Sequence, residues 1–249
     1  METIEKNLYE FYRIFGSVKG VEFKQENGYE VVSAVDKSWP QMIFNLDHAL
    51  DPQKLIAIIA DDIENKQYPP FLIAAENYLS RKHTELLKTN KIAPVKMLTG
   101  MNIIPVSIEN IKLPPKCEIC DLVDETQWID FADIIKKELI SPEISFKSEI
   151  LTELKSYKEI KMTGLFYGKT LVSSLLVLTN ENISGLYFIV TRKEYQNRGF
   201  ATILINFILN RLYDDDIKEV ILHANHYSYG LYKKLGFIDQ NRFIIYRKL

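Results

Sequence analysis

The sequence predicts an α/β protein of two domains. Two observations carry that expectation: short extended apolar runs mix with helical stripes along the chain, and a proline-rich stretch interrupts them near the middle. That stretch, residues 105–116, reads Pro-Val-Ser-Ile-Glu-Asn-Ile-Lys-Leu-Pro-Pro-Lys, and its Pro114-Pro115 pair resists both a helix and a central strand. A chain of 249 residues suits one large domain or two small ones. The expected division is therefore residues 1–110 and 117–249.

In the first part, residues 8–15 are a short helical candidate, and residues 29–35 and 41–46 read as strands. Asp51-Pro52 is a helix start, with proline at the first helical position. Leu55, Ile58, Ile59 and Ile63 then form an apolar stripe at helical spacing. Residues 70–75 are a short buried strand, 77–88 a helix and 95–104 extended. In the second part, 117–123 is a strand, and 127–139 and 146–155 are helical. Residues 160–167 and 170–178 form a hairpin turning at Gly168-Lys169. Residues 185–191 are an almost continuous apolar run, as in a strand buried on both faces. A helix over 201–213 follows, with Leu204, Phe207, Ile208 and Leu212 on one side. After it come a strand (219–224), a short helix (228–235) and a last strand (243–248).

Hydrophobic residues make up 47% and charged residues 26%, which is ample material for a packed core. The net charge of -2 lacks the basic excess usual for a nucleic-acid binder. No apolar run approaches the ~20 residues of a membrane helix. The first residues, Met1-Glu-Thr-Ile-Glu-Lys, lack the basic-then-apolar layout of a signal peptide, so a cytoplasmic location is the expectation.

Three patterns promise less than they suggest. Cys117-Glu-Ile-Cys120 has the spacing of a redox or zinc pair, but no second pair supplies further ligands. Its surroundings alternate as a strand does, which sends the two thiols to opposite faces. Gly164-Leu-Phe-Tyr-Gly168-Lys169-Thr170 has one residue too few between its glycines for a phosphate-binding P-loop, and a strand follows where a helix is needed. His223 and His226 form His-x-x-His without acidic or cysteine company, so no metal is expected.

The informative segment is Ile189-Val-Thr-Arg-Lys-Glu-Tyr-Gln-Asn-Arg-Gly-Phe-Ala-Thr202. A buried strand passes through a polar loop into a helix starting near Gly199. Unpaired amides at such a start, with the helix dipole, make an anion site. Gly199 permits close approach, Ala201 adds little bulk, and Gln196, Asn197 and Arg198 supply donors. On these residues alone the segment is either a pyrophosphate site or a surface loop with incidental polar residues.

Gln196-x-x-Gly199-x-Ala201 resembles the (Arg/Gln)-x-x-Gly-x-(Gly/Ala) signature of the GNAT superfamily of acyl-CoA N-acyltransferases. Downstream, Asn225-His-Tyr-Ser228-Tyr-Gly-Leu231-Tyr232-Lys-Lys-Leu-Gly236-Phe237 resembles that family's Asn-x-x-Ala-x-x-Leu-Tyr-x-x-x-Gly-Phe segment, with serine in place of alanine at 228. The order of elements from residue 117 onward is also similar to the family's. The resemblance implies a mixed β-sheet flanked by helices, with the strands 185–191 and 219–224 parallel and splayed apart. It implies that the pantetheine arm of acetyl-CoA, the acyl donor, lies beside Ile189, Val190 and Thr191 and is held by Asn225. The pyrophosphate would sit on Gln196, Asn197, Arg198, Gly199, Phe200, Ala201 and Thr202. Tyr232 matches the tyrosine that protonates the leaving thiolate, and an amine attacks the thioester directly. A phenol of ordinary pKa ~10 can donate to a thiolate at neutral pH. No general base is readable among Glu194, Asp121, Asp124, His223 and His226.

The first domain echoes this order loosely. Its strand-to-helix passage at residues 74–80 holds no glycine and no Gln-x-x-Gly-x-Ala pattern. The expectation is a degenerate, non-catalytic GNAT-like domain that walls the amine site, against an unrelated α/β domain. A non-catalytic acyl-CoA sensor is the alternative to an N-acetyltransferase. The expected partners are acetyl-CoA and an amine, without nucleic acid or membrane, and a homodimer is left open.

Overall fold

The structure, a computed structural model, describes residues 3–108 and 111–249. Glu109 and Asn110, inside the proline-rich stretch, lie outside the described residues. The chain falls into two compact units. One takes Met1–Gly100, Ala224–Tyr227 and Asp239–Leu249, and the other takes Met101–His223 and Ser228–Ile238. Pro114 and Pro115 thus lie within the second unit.

The first unit opens with helix α1 (Thr3–Phe15), whose aromatic face buries Leu8, Tyr9, Phe11, Tyr12 and Phe15. A hairpin follows, β1 (Val21–Glu26) and β2 (Tyr29–Ala34), turning at Asn27-Gly28 with Gly28 at φ 104°. Of this pair only Gly28 takes a positive φ, which glycine adopts without steric cost. β3 (Gln41–Phe44) pairs antiparallel with β2 and parallel with β4 (Phe71–Ala75) at Ile43↔Leu72. Between them α2 (Pro52–Asn65) starts where the Asp51 side chain accepts from the amides of Gln53 and Lys54. α3 (Arg81–Thr89) starts four residues later than expected, because Ser80 and His83 form a capping box there and Glu76–Tyr78 is a 3₁₀ turn. β5 (Ile92–Ile103) begins in this unit and continues past Gly100, and β11 (Ile238–Lys248), the last strand, pairs antiparallel with β4. The sheet order in this unit is β1-β2-β3-β4-β11-β5. Leu55, Ile56, Ile59 and Ile63 of α2 pack with Tyr29, Val31, Ile43, Leu72 and Tyr246 of the sheet.

The second unit holds β6 (Cys117–Asp121), α4 (Glu125–Glu138), α5 (Ser148–Thr152), β7 (Ile160–Tyr167), β8 (Thr170–Asn180), β9 (Ile183–Thr191), α6 (Phe200–Asp214), β10 (Glu219–Ala224) and α7 (Tyr229–Lys234). The sheet order is β10-β9-β8-β7-β6, with the β10–β9 pair parallel and the rest antiparallel. α4 packs against β8 and β9, and α6 against β7, β8 and β9. Gly168, at φ 61°, is the turn residue of the β7–β8 hairpin. Among the described residues no helix is long and apolar enough to cross a membrane.

Two apolar stripes differ from their expected faces. In α2, Ile56 is buried and Ile58 is 39% exposed. In α6, Leu204, Ile205, Ile208, Leu209 and Leu212 are buried, whereas Phe207 is only half-buried. Where a helix carries apolar residues at nearly every position, spacing alone does not say which stripe wins. The α2 difference is measurable by chemical denaturation. Ile59→Ala should cost about 2–5 kcal/mol, the range for truncating a buried isoleucine. Ile58→Ala should stay near the ~0.5 kcal/mol typical of surface changes.

Candidate active site

β9 decides the geometry of the second unit. Its parallel pairing with β10 runs from Glu219↔Ile183 to Leu222↔Leu186, while β9 itself continues to Thr191. On its other side the β8 register shifts between Ser174↔Val190 and Leu176↔Tyr187, so β9 carries one extra residue there. Phe188 sits in that bulge at φ 48°, a left-handed conformation in which a bulky residue is strained. Its ring lies edge-on to Phe131 of α4 at 6.1 Å. The Ser173 hydroxyl donates to the Val190 carbonyl at 2.9 Å and lies 2.9 Å from the Thr191 hydroxyl. Ile189, Val190 and Thr191 thus belong to a stretch held from the β8 side and beyond the described pairing with β10.

After Thr191 the chain makes a 3₁₀ turn, Lys193–Tyr195, then reaches Asn197 at φ 60° and Gly199 at φ 79°. The Gln196 carboxamide donates to the Thr191 carbonyl at 3.0 Å, so this side chain closes the loop rather than reaching outward. The Arg198 guanidinium lies 5.2 Å over the Tyr195 ring, and Asn197 and Arg198 are exposed. Gly199 is the cap residue of α6, and no side chain caps that helix. The first helical bond runs from the Ile203 amide to the Gly199 carbonyl, so the amides of Phe200, Ala201 and Thr202 precede the ladder. A Cβ at Gly199 would meet nothing within 4 Å. An uncapped helix start with open space before it is where an anion can be held by backbone amides and the helix dipole. This donor set fits a pyrophosphate.

Tyr232, on α7, is buried, with its ring edge-on to Phe237 at 5.9 Å. Burial pushes its phenol up to about 12, partly offset by a hydrogen bond with Ser228, so the proton is retained at neutral pH. Asn225 belongs to the first unit, where its side-chain oxygen accepts from the Tyr227 amide at 2.9 Å.

The five candidate bases separate sharply. Asp121 accepts from Arg211 at 2.7 Å and from the Thr163 hydroxyl at 2.6 Å. Burial raises its pKa, but these hydrogen bonds outweigh that and hold it below the usual carboxylate range. Asp124 caps α4, accepting from the Gln127 amide at 2.8 Å. Both are committed to structure. Glu194 is exposed. The His223 ring stacks on Tyr187 at 6.2 Å, and burial of its nitrogens pushes it down to about 3. The exposed His226 lies against the Tyr227 ring at 3.6 Å.

Cys117 and Cys120 are free thiols on β6, both pushed up by burial, which works against a reactive thiolate. Among the described residues no group of three or more His, Cys, Asp or Glu side chains is disposed to hold a metal. Sequence reasoning missed Phe188 and Ser173. Nothing in an apolar strand marks which residue will bulge, and the Ser173 contact joins residues distant in sequence.

Residues 137–244 match the family model described as acetyltransferase (GNAT) domain. No curated protein matches the chain. Among solved structures, the chain resembles a GCN5-related N-acetyltransferase from Kribbella flavida with a TM-score of 0.71 at 8% identity, over 97% of this chain and 95% of that one. It also resembles a GCN5-related N-acetyltransferase from Sphaerobacter thermophilus (TM-score 0.68, 14% identity, 96% and 84% covered). A third likeness is to a tandem GNAT protein from the clavulanic acid biosynthesis pathway (TM-score 0.60, 10% identity, 94% and 86% covered). At these identities the likeness is one of fold.

His223 gives this unit a pH signature. Its pKa in the folded protein lies below the ordinary value, so its contribution to stability is present above about pH 6.5 and is lost as pH falls toward 3. The slope is at most about 1.4 kcal/mol per pH unit. In urea unfolding, wild type should lose stability between pH 6.5 and 4 (roughly that window) more steeply than His223→Leu. Parallel curves would show that the histidine is solvated.

Proposed function

With residues 137–244 forming a GNAT acetyltransferase domain, we propose that the chain is an acetyl-CoA-dependent N-acetyltransferase acting on a primary amine of a small molecule, amino acid or peptide. The observation that carries this reading is the uncapped start of α6 at Gly199, reached from the end of β9 that outlasts its partner strand. In this reading Gln196, Asn197, Arg198, Gly199, Phe200, Ala201 and Thr202 surround the pyrophosphate, chiefly through backbone amides. Ile189, Val190, Thr191 and Asn225 hold the pantetheine arm, and Tyr232 is the acid. The donor supplies an activated acetyl thioester. The amine nitrogen bonds to the carbonyl carbon, the C–S bond breaks, and the Tyr232 hydroxyl donates toward the departing sulfur. No acyl-enzyme forms, so no nucleophilic cysteine is required. Asp121 and Asp124 are occupied structurally and His223 sits far below neutrality, which leaves Glu194, His226 or solvent to take the amine's proton.

The first unit is proposed as a degenerate, non-catalytic relative of the second. In support, the passage over residues 74–80 leads into α3 under the Ser80–His83 capping box, so a side chain takes a helix-start amide that a phosphate would need, and α2 likewise starts under the side chain of Asp51. A cytoplasmic location remains part of the proposal.

Two variants test the assignment. Gly199→Glu places a charge and a strained φ at the helix start, and should abolish CoA binding by calorimetry. Unchanged affinity would remove the pyrophosphate site from α6. Tyr232→Phe should lower kcat by roughly 10- to 10³-fold with little change in acetyl-CoA affinity. Full activity would reduce Tyr232 to a packing residue. Tight CoA binding with no thiol release on any amine would favour a sensor.

A further inference from the structure

The loop between β9 and α6 is tied down by its neighbours on both sides. Arg192 donates twice to β8: its backbone amide to the Val172 carbonyl at 2.9 Å, and its guanidinium Nε to the Leu171 carbonyl at 2.7 Å. That side chain is 17% exposed, and one of its terminal nitrogens lies 3.8 Å from Asp133 of α4. The next amide, of Lys193, opens the 3₁₀ turn and donates to the Glu138 carboxylate of α4 at 3.1 Å.

α4 thereby touches the donor side of this unit twice. Phe131 and Glu138 are seven residues apart, close to two helical turns, so they lie on one side of the helix. The Phe131 ring meets Phe188 in the β9 bulge, and Glu138 takes the Lys193 amide beyond the end of the strand. Helix stability does not explain Glu138. It stands in the last turn, where the macrodipole disfavours a carboxylate and favours cations such as its neighbours Lys136 and Lys137. A negative charge near a phosphate site also opposes binding through its field. The service that remains is geometric: an acceptor that holds one backbone amide.

We propose that Arg192 and Glu138 are positioning residues of the acyl-donor site. Acting from β8 and α4, they fix the backbone at the start of the loop. The chain then arrives at Asn197 and Gly199 in the left-handed form that presents the amides of Phe200, Ala201 and Thr202. A loose loop loses conformational entropy when it closes on a ligand, and one already held does not. The inference rests on the reading of the α6 start as a pyrophosphate site and adds two residues outside the Gln196–Ala201 pattern.

The test is calorimetric titration of the full chain with CoA. The sign of the Glu138 effect decides between position and field. Glu138→Ala should weaken CoA binding by ~10-fold, a difference of about 1.4 kcal/mol. If the carboxylate acted only through its charge, removing it would tighten binding. Glu138→Gln keeps an acceptor for the Lys193 amide and should recover most of the affinity that Glu138→Ala loses. Arg192→Ala should weaken binding by a similar factor. Arg192→Lys keeps the charge but lacks the planar fork, and should fail to restore it. Circular dichroism checks folding, and the half-exposed Glu138 carries the test if the Arg192 variants do not fold. Unchanged or tighter CoA binding in Glu138→Ala, or wild-type binding in Arg192→Lys, would overturn the proposal. Gly199→Glu separates the two readings. If it binds CoA normally, the pyrophosphate site itself is misplaced. If it does not bind while Glu138→Ala and Arg192→Ala bind as wild type, only the positioning role fails.

Discussion

Much of the second unit follows from one constraint on β9: it pairs with β10 only as far as Leu186. Beyond that point the strand is held from one side by β8, and the extra residue at Phe188 changes which groups face which neighbour. A phenylalanine in the left-handed region costs of order 1–3 kcal/mol, and such strain persists only where surroundings over-determine it. Here the surroundings are specific: the Ser173 hydroxyl on the Val190 carbonyl, pairing of Ser173 with Thr191, and the Phe131 ring against Phe188. The consequence reaches past the strand. Thr191 ends it with a carbonyl that Gln196 caps, which fixes the loop that delivers Gly199 to the start of α6.

The two units use their helix starts in opposite ways. α2 begins under a carboxylate that takes two of its amides, whereas α6 begins with a bare glycine in the left-handed region. The first arrangement stabilises a helix by about 1 kcal/mol and blocks anions. The second forgoes that stabilisation and leaves amides and dipole to a ligand. The charge follows suit, since the α6 loop is flanked by Arg192, Lys193 and Arg198. Helix starts built so differently on similar strand orders argue against one duplicated anion site.

The sequence was legible where chemistry is local. Gln196, Gly199 and Ala201 stand within six residues, and the Gly168 turn and Asp51-Pro52 start need only their neighbours. It was less legible where the outcome is a competition or a distant contact. β1 went unread although Asn27-Gly28 is a strong hairpin signal, because its own side chains are mostly exposed and show little apolar alternation. Ile56 and Ile58 compete for one buried stripe, and the sheet settles it. Asp121 looked like a candidate base until α6 brought Arg211 to it across ninety residues of chain.

The burial of Tyr232 limits what it can do. Pushed up to about 12, it is a weaker acid than a phenol in water, while a free thiol loses its proton near ~8.5. Handing the proton fully to a solvated thiolate would be uphill by roughly 3.5 pK units, or about 5 kcal/mol. A hydrogen bond that strengthens as charge gathers on the sulfur carries no such cost, and a dry setting makes that bond stronger than it would be in water. The sulfur also becomes more basic as it leaves water, since burial disfavours its charged form as it does that of the phenol. The two pKa values therefore converge only with the donor bound. On the proposed reading, Tyr232 is a donor matched to a buried leaving group, its high pKa set by the same burial that makes the match.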